Sequence, residues 1–406
     1  MAATDSYTGG DGRLSPLSTP SATRAVLEAH GIGTKYTLGQ NFLVNDDVLK
    51  KIIALAEVDE ADRVLEVGPG IGTLTIALLK HAASVAAIER DPDLPAVLAD
   101  TLHPWREKFA LIEKDALDVT EGDIVSAAST VAEFGGISGG AHQASSAAKF
   151  TSTMVEPGGD TGCPDRASSA ANETAQWAVS QSEDCLSESG YPVAPPQEDL
   201  QLSLPDKLVA NLPYAVAATI VLDYFESFPF LDSATIMVQK EVADRMAAAV
   251  GTKNYGAYTV KLGLYAEPAG RFAVGPGNFF PPPRVDSAVI RLNRRVPLMA
   301  DGAPATPEVI AAAALIADAA FANRRKTIAN SCKTYFSGRG PVSLGVAGSS
   351  AEESGPRIVL LDGAAIAERL PAIFDAAAID LRRRGETLTQ QEFLALGAAL
   401  LKEATV

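Results

Sequence analysis

Cysteine and histidine are scarce in this chain of 406 residues, and each scarcity closes a class of explanation. Three cysteines, Cys163, Cys185 and Cys332, are too few and too scattered for a disulfide framework or a thiolate metal site. The four histidines show no ligand spacing, so no metal is predicted. No apolar run approaches the roughly 18 residues that would cross a bilayer, and no membrane partner is expected. Residues 1–20 lack a basic start followed by an apolar stretch, so no secretory signal is read and a cytoplasmic location is the expectation.

Positive charge is also short. The formal net charge of -16 argues at first against a nucleic-acid partner, because phosphate binding needs a basic surface. The distribution of that charge argues the other way: residues 121–206 hold thirteen Asp and Glu against Lys149 and Arg166. Residues 240–336 carry thirteen Lys and Arg against seven acids, including Arg294-Arg295 and Arg324-Arg325-Lys326. Such runs fit either a phosphate-binding face or ordinary solvated helix surfaces.

The pattern of residues divides the chain. Residues 1–20, rich in Ser, Thr, Gly and Pro, read as a disordered leader. From about 24 to 120, short apolar runs (DRVLEV, SVAAIE, FALIE) alternate with helical patterns (DDVLKKIIALAE, GTLTIALLKHA, DLPAVLADTLH). That alternation predicts βαβ units, a parallel sheet and an α/β fold. Residues 121–203 break it with an acidic, Ala/Ser/Gly/Pro-rich stretch read as a largely disordered insertion within a domain spanning 21–296. The sheet resumes at KLVANLPY, ATIMVQK and SAVIRLN. Residues 304–406 read as a small all-α domain with a flexible Gly/Ser-rich loop at 337–356.

Chemistry concentrates at strand ends. In EVGPGIGTLT (66–75), between a predicted strand and helix, Gly68, Gly70 and Gly72 permit a tight turn and close approach of a ligand to backbone amides. Glu89 ends the next strand, where an acid can take both ribose hydroxyls of an adenosine-containing cofactor. Asp115 follows a third strand, where a carboxylate can accept from an adenine amino group. The glycines are spaced GxGxG after the acidic Glu66, without a phosphate-binding lysine. That suits S-adenosylmethionine, cationic and phosphate-free, better than a dinucleotide. A fourth strand ends in Asn211-Leu212-Pro213-Tyr214, a polar and aromatic lip that could serve an amine on a flat ring or be only a turn.

Nine motifs in order carry a family resemblance: KYTLGQNFL (35–43), EVGPGIGTLT (66–75), AIERD (87–91), KDALDV (114–119), VANLPY (209–214), MVQKEVADRM (237–246), NYGAYTV (254–260), NFFPPPRVDSAVIRL (278–292) and FANRRKTIAN (321–330). The chain resembles the small-subunit ribosomal RNA adenine N6,N6-dimethyltransferases over nearly all its length, apart from the leader and the two loops. The resemblance implies a Rossmann-like class I S-adenosylmethionine-dependent methyltransferase domain with a helical C-terminal domain. It implies that Gln40, Asn41 and Leu43 close over the methionine part of the cofactor, with Gly68, Gly70 and Glu66 in the loop beneath. Glu89, with Arg90 beside it, would hold the ribose, and Asp115 with the backbone of Ala116 would read the cofactor adenine. Asn211 would lie between donor and acceptor, Leu212 and Pro213 would shape the turn, and Tyr214 would stack on the target adenine. Phe279 or Phe280 would face that base from the other side. Arg324, Arg325 and Lys326, with the Arg382–Arg384 cluster, are the candidate RNA contacts. The implied partner is small-subunit RNA in a partly assembled ribosomal subunit, bound by a monomer.

The exocyclic amine of adenine is a weak nucleophile because its lone pair is delocalised into the ring. Two acceptors, the Asn211 side chain and the Leu212 carbonyl, can hydrogen-bond its protons and favour a pyramidal nitrogen aimed at the donor. The base must be unpaired or flipped to present that amine. Two other readings stand beside this one: a large-subunit adenine methyltransferase of the Erm resistance type, and a ribosome-assembly factor that has lost catalysis. LGQNFL, NLPY, FFPPPRVDS and the RRKT segment favour the small-subunit group, and intact Glu66, Glu89, Asp115, Asn211 and Tyr214 favour catalysis.

Overall fold

A computed structural model describes residues 12–34, 40–135, 204–346 and 357–404 of the chain. A seven-stranded sheet forms its centre. Five strands run parallel in the order β4 (Phe109–Glu113), β3 (Ser84–Glu89), β2 (Arg63–Val67), β5 (Lys207–Asn211) and β6 (Ser233–Gln239). The antiparallel β9 (Ser287–Arg294) and β7 (Ala266–Val274) complete it. Helices cover both faces, which is why the strands are continuous apolar runs rather than alternating ones. Leu65 and Val67 enter one core and Val64 the other, and Leu208 and Ala210 likewise oppose Val209. Period-two side chains thus feed two layers from one strand.

Helices α1 (Pro20–Ala29), α2 (Asp46–Ala56), α3 (Thr73–Leu79) and α4 (Leu94–Thr101) contribute to one layer. The other layer is built on α5 (Glu121–Gly135), α6 (Ala217–Ser227) and α7 (Lys240–Met246), with Leu262 of α8 (Ala257–Gly263). Caps set several helix starts: Asn45 accepts from the Asp47 and Val48 amides, with Asp46 and Asp47 placed favourably in the first turn of α2. A short ladder joins β1 (Phe42–Leu43) to β8 (Phe279–Phe280), pairing Phe42 with Phe280 and Leu43 with Phe279.

The sheet order reverses direction between β2 and β5. Ligands of open parallel sheets bind at such a switch point, beyond the strand carboxyl ends. Arg294 secures the far side, donating to the Phe225 carbonyl in the last turn of α6 and to the Phe228 and Leu231 carbonyls just beyond it.

Several expectations need correction. Residues 12–20 are not a structureless leader: Leu14 and Ser15 amides donate to Asp46, and Ser15, Leu17 and Ser18 are buried. Their polar composition conceals a tie to the first turn of α2 and the Thr19 cap of α1. The acidic insertion does not begin at 121, because α5 lies there with Ile124, Ala127 and Ala128 buried against the sheet. The rest of that insertion, 136–203, falls outside the described residues, as do 1–11 and the KYTLG portion of the first motif. The loop read at 337–356 begins instead with a strand, β10 (Pro341–Val346), paired antiparallel with β11 (Arg357–Asp362). Among the described residues the C-terminal part is therefore helical with an antiparallel pair of strands, its helices being α9 (Pro307–Phe321), α10 (Ile328–Ser337), α11 (Gly363–Ala376) and α12 (Gln390–Ala404).

The boundary between the two parts is packed rather than loose. Tyr255, Val260 and Leu264, from the α/β part, sit in the C-terminal core beside Ile316, Phe336 and Phe393. The Tyr255 hydroxyl donates to the Leu388 carbonyl at 2.8 Å, and Lys261 pairs with Asp318 at 3.0 Å. Strand β7 was invisible in the sequence because Pro268 and Gly270 interrupt its pattern. It is an edge strand with a register shift between those residues, where such interruptions are tolerated.

Candidate active site

The glycine loop follows β2 and crosses the sheet edge in left-handed backbone: Gly68, Gly70 and Gly72 have φ of 71°, 61° and 87°. At Gly70 a methyl group would also crowd the Phe42 ring at 3.1 Å, adding to the strain that its positive φ already imposes on any side chain. The Gly68 amide donates to the Ile88 carbonyl at 2.9 Å, tying the loop to β3. Beside the loop opens a cavity of about 480 Å³.

All the predicted cofactor and catalytic residues converge on it. Gln40, Asn41, Leu43, Glu66, Gly68, Gly70, Glu89, Arg90, Asp115, Ala116, Asn211, Leu212, Pro213 and Tyr214 line this one cavity. The topology explains the convergence, since the first four strand ends lie side by side while their sequence positions span more than a hundred residues.

The carboxylates are held in distinct states. Glu66 is 1% exposed and its Oε2 has no hydrogen-bond partner among the described residues. Burial pushes its carboxyl up to about 8, against the downward pull of the neighbouring Thr75 hydroxyl. The expected acid beside the loop is thus largely protonated near neutrality in the ligand-free protein. Burial also raises Glu89, whose oxygens accept from the Asp91 amide at 2.9 Å and the Gly70 amide at 3.4 Å. Asp115 accepts from Arg90 Nη1 at 2.8 Å and from the Leu117 amide at 3.1 Å. Arg90 therefore neutralises the Asp115 carboxylate in addition to facing the cavity.

Asn211 ends β5, and its Nδ2 donates to the Asn41 carbonyl at 3.1 Å. That bond fixes the amide so that Oδ1 is left as an acceptor. Neither Asn211 Oδ1 nor the Leu212 carbonyl receives a hydrogen bond from the described residues. The Leu212 amide is anchored to the Met237 carbonyl of β6 at 3.1 Å, and the Pro213 carbonyl accepts from Val216 and Ala217 at the start of α6. The turn is rigid. The Tyr214 hydroxyl hydrogen-bonds the buried Ser287 Oγ at 2.5 Å, and burial raises its pKa.

Other expectations divide. Phe279 is 3% exposed and belongs to the core, so it cannot face a target base; Phe280 is only half-buried. Neither lines the cavity. Arg324 donates to Glu386 and to the Thr252 carbonyl, and Arg383 forms a two-pronged pair with Glu392, so both are engaged within the protein. Arg384 lies 3.9 Å from Glu386. Arg325, Lys326 and Arg382 are exposed. No cluster of three metal-ligating side chains occurs among the described residues, and no described helix is long and apolar enough to cross a membrane.

The residues fit S-adenosylmethionine. A buried acid with an unpartnered oxygen can ionise against a bound cation, the glycine cradle leaves room for a ligand beside the backbone, and Glu89 and Asp115 stand at the ends of successive strands. Reading the sequence alone missed three supports. Gln40 Nε2 donates to the buried Asp91 at 2.7 Å, Ser287 holds Tyr214, and the fully buried Tyr224 on α6 donates to the Ala116 carbonyl at 2.9 Å. Asp91 and Ser287 lie inside two of the nine motifs; Tyr224 lies in none of them.

A family model described as "Ribosomal RNA adenine dimethylase" matches residues 33–341. The chain belongs to this family. It is 31% identical over 384 residues to "Ribosomal RNA small subunit methyltransferase A" of Staphylococcus epidermidis, covering 94% of each chain. It is equally similar, at 31% over 394 residues, to the protein of that name from Enterococcus faecalis, covering 96% of this chain and 98% of that one. Among solved structures, a dimethyladenosine transferase from Plasmodium falciparum superposes with a TM-score of 0.52 at 19% identity, covering 89% of this chain and 98% of that one. That likeness concerns the fold: a mainly parallel sheet of Rossmann-like class I type with a largely helical C-terminal part.

Proposed function

We propose that this member of the rRNA adenine dimethylase family transfers methyl groups from S-adenosylmethionine to the N6 amines of two adjacent adenosines. The target is the 3′-terminal hairpin loop of small-subunit ribosomal RNA, and the product is N6,N6-dimethyladenosine. The protein acts as a cytoplasmic monomer on a partly assembled small subunit. The names of its relatives support the small-subunit target over a large-subunit one.

The observation that carries the reading is the Asn211-Leu212 turn. Asn211 Oδ1 and the Leu212 carbonyl are two acceptors, unclaimed among the described residues, on a turn held by β6 and α6 beside the cavity. They can accept both protons of one amine and hold its lone pair out of conjugation. When bound, S-adenosylmethionine supplies an electrophilic methyl on a positively charged sulfur. Glu66 would supply the opposite charge, Glu89 the ribose contacts, and Asp115 with Ala116 the adenine contacts. Tyr214, steadied by Ser287, offers its ring to the target base. Each transfer would break the sulfur–methyl bond, leave the donor as a neutral thioether and shed one amine proton to solvent; after the first the nitrogen keeps one proton for one acceptor, so the same turn serves the second.

Incubating the purified protein with labelled donor and each ribosomal subunit tests this. Label is expected in small-subunit RNA, and label confined to the large subunit would overturn it. Tyr214→Ala should depress transfer to RNA far more than donor binding; the opposite result would remove Tyr214 from the target pocket.

A further inference from the structure

We propose that Arg24, on the N-terminal helix α1, binds an RNA phosphate next to the target base. The proposal rests on the function just proposed and extends its RNA surface to a segment that none of the nine motifs includes.

Arg24 is exposed, and its guanidinium carbon lies 5.4 Å from the centre of the Phe280 ring. Among the described residues it forms no ion pair; even Glu28, one turn later, makes none with it. This contrasts with Arg324 and Arg383, whose charges are met by Glu386 and Glu392. A planar, weakly hydrated cation already ordered on an aromatic face loses little freedom on meeting a phosphate.

The platform beneath it is firm. Helix α1 is docked by buried Val26 and Leu27, started by the Thr19 cap, and preceded by the bonds from Leu14 and Ser15 to Asp46. Phe280 pairs with Phe42, whose chain neighbour Asn41 accepts from the Asn211 amide. From the other direction, the loop after Phe280 runs to Ser287, which holds the Tyr214 hydroxyl. Arg24 therefore stands over an aromatic connected at both ends to the target-binding turn. Nothing in the described fold needs a charge there, and an RNA strand entering the site supplies the missing anion.

The test compares the full-length wild type with Arg24→Gln and Arg24→Lys. Binding to salt-washed small subunits lacking the dimethyl mark is followed through a potassium chloride series, with donor affinity and thermal midpoint measured alongside. One phosphate contact makes affinity for a single strand scale with about the 0.7 power of salt, so losing it costs about fivefold near 0.1 M. Arg24→Gln should show that loss and a log–log slope shallower by about 0.7, with donor affinity and midpoint unchanged. Arg24→Lys should keep the wild-type slope. Wild-type binding and slope in Arg24→Gln would overturn the proposal, as would a loss of donor affinity in both variants, which would place the effect in the Phe280–Phe42 ladder. If the wild type methylates only large subunits, the proposed function fails separately, and the same series on large subunits still reads Arg24.

Discussion

Glu66→Gln is expected to stabilise the ligand-free protein by an amount that grows with pH. The folded carboxyl sits near 8 because it is buried, whereas the unfolded chain titrates near 4.5. Below about pH 4.5 the acid is protonated in both states and makes no difference to stability. Above it the unfolded chain ionises while the folded one does not, so stability falls by about 1.4 kcal/mol per pH unit. At pH 7 the penalty reaches about 3 kcal/mol, and it stops growing above about pH 8. Glutamine reproduces the shape of the protonated acid without titrating.

Urea unfolding of both proteins from about pH 5 to about pH 9 reads the difference directly. The gap should open through that window and level off near pH 8. Parallel curves would refute the assignment of a neutral, buried Glu66. S-adenosylmethionine brings a cation to the same cavity and favours the ionised acid. Wild-type binding should therefore release a proton, seen as a buffer-dependent enthalpy in calorimetry, while Glu66→Gln should bind more weakly and release none.

Tyr224→Phe removes the bond to the Ala116 carbonyl and leaves that acceptor buried; a loss of about 1–2 kcal/mol in unfolding free energy is expected. Donor affinity should fall with it while turnover at saturating donor stays near wild type, and unchanged affinity would detach the Tyr224–Ala116 bond from donor binding. Arg294→Met takes the guanidinium donor from the Phe225, Phe228 and Leu231 carbonyls, of which Phe228 keeps only the Leu231 amide, for a loss of about 2–4 kcal/mol by urea unfolding. A loss below about 1 kcal/mol would show that solvent replaces the guanidinium. Deleting 136–203 with a short linker should preserve methyl transfer, because the pairing of Leu65 with Leu208 lies outside the deletion. A large loss of transfer to small subunits would give the segment a part in the chemistry.

What the sequence determined by itself was local. Apolar runs with two-residue and helical periods marked β2 to β6, the glycine spacing marked a loop that only positive φ can close, and strand-end acids marked the ligand edge. These signals survive because each depends on a few neighbouring residues. The structure added what depends on distance along the chain. It placed Phe279 in the core and left Phe280 half-buried, since one strand sends adjacent side chains to opposite faces. It found α5 inside an acidic stretch and β7 behind a proline and a glycine, because burial against the sheet outweighs weak local preference.

Charge was the least legible property. The motif that singled out Arg324 to Lys326 could not reveal that Glu386 meets Arg324, nor that Arg24 stands without an ion pair among the described residues, over the ring of a distant Phe280. Glu66 was visible as an acid beside a glycine loop, yet its protonation state follows only from its burial among β2, α3 and their neighbours. Residue type is written in the sequence, but solvation and partnership are properties of the packed interior, and those decide which of the acids and cations are available for chemistry.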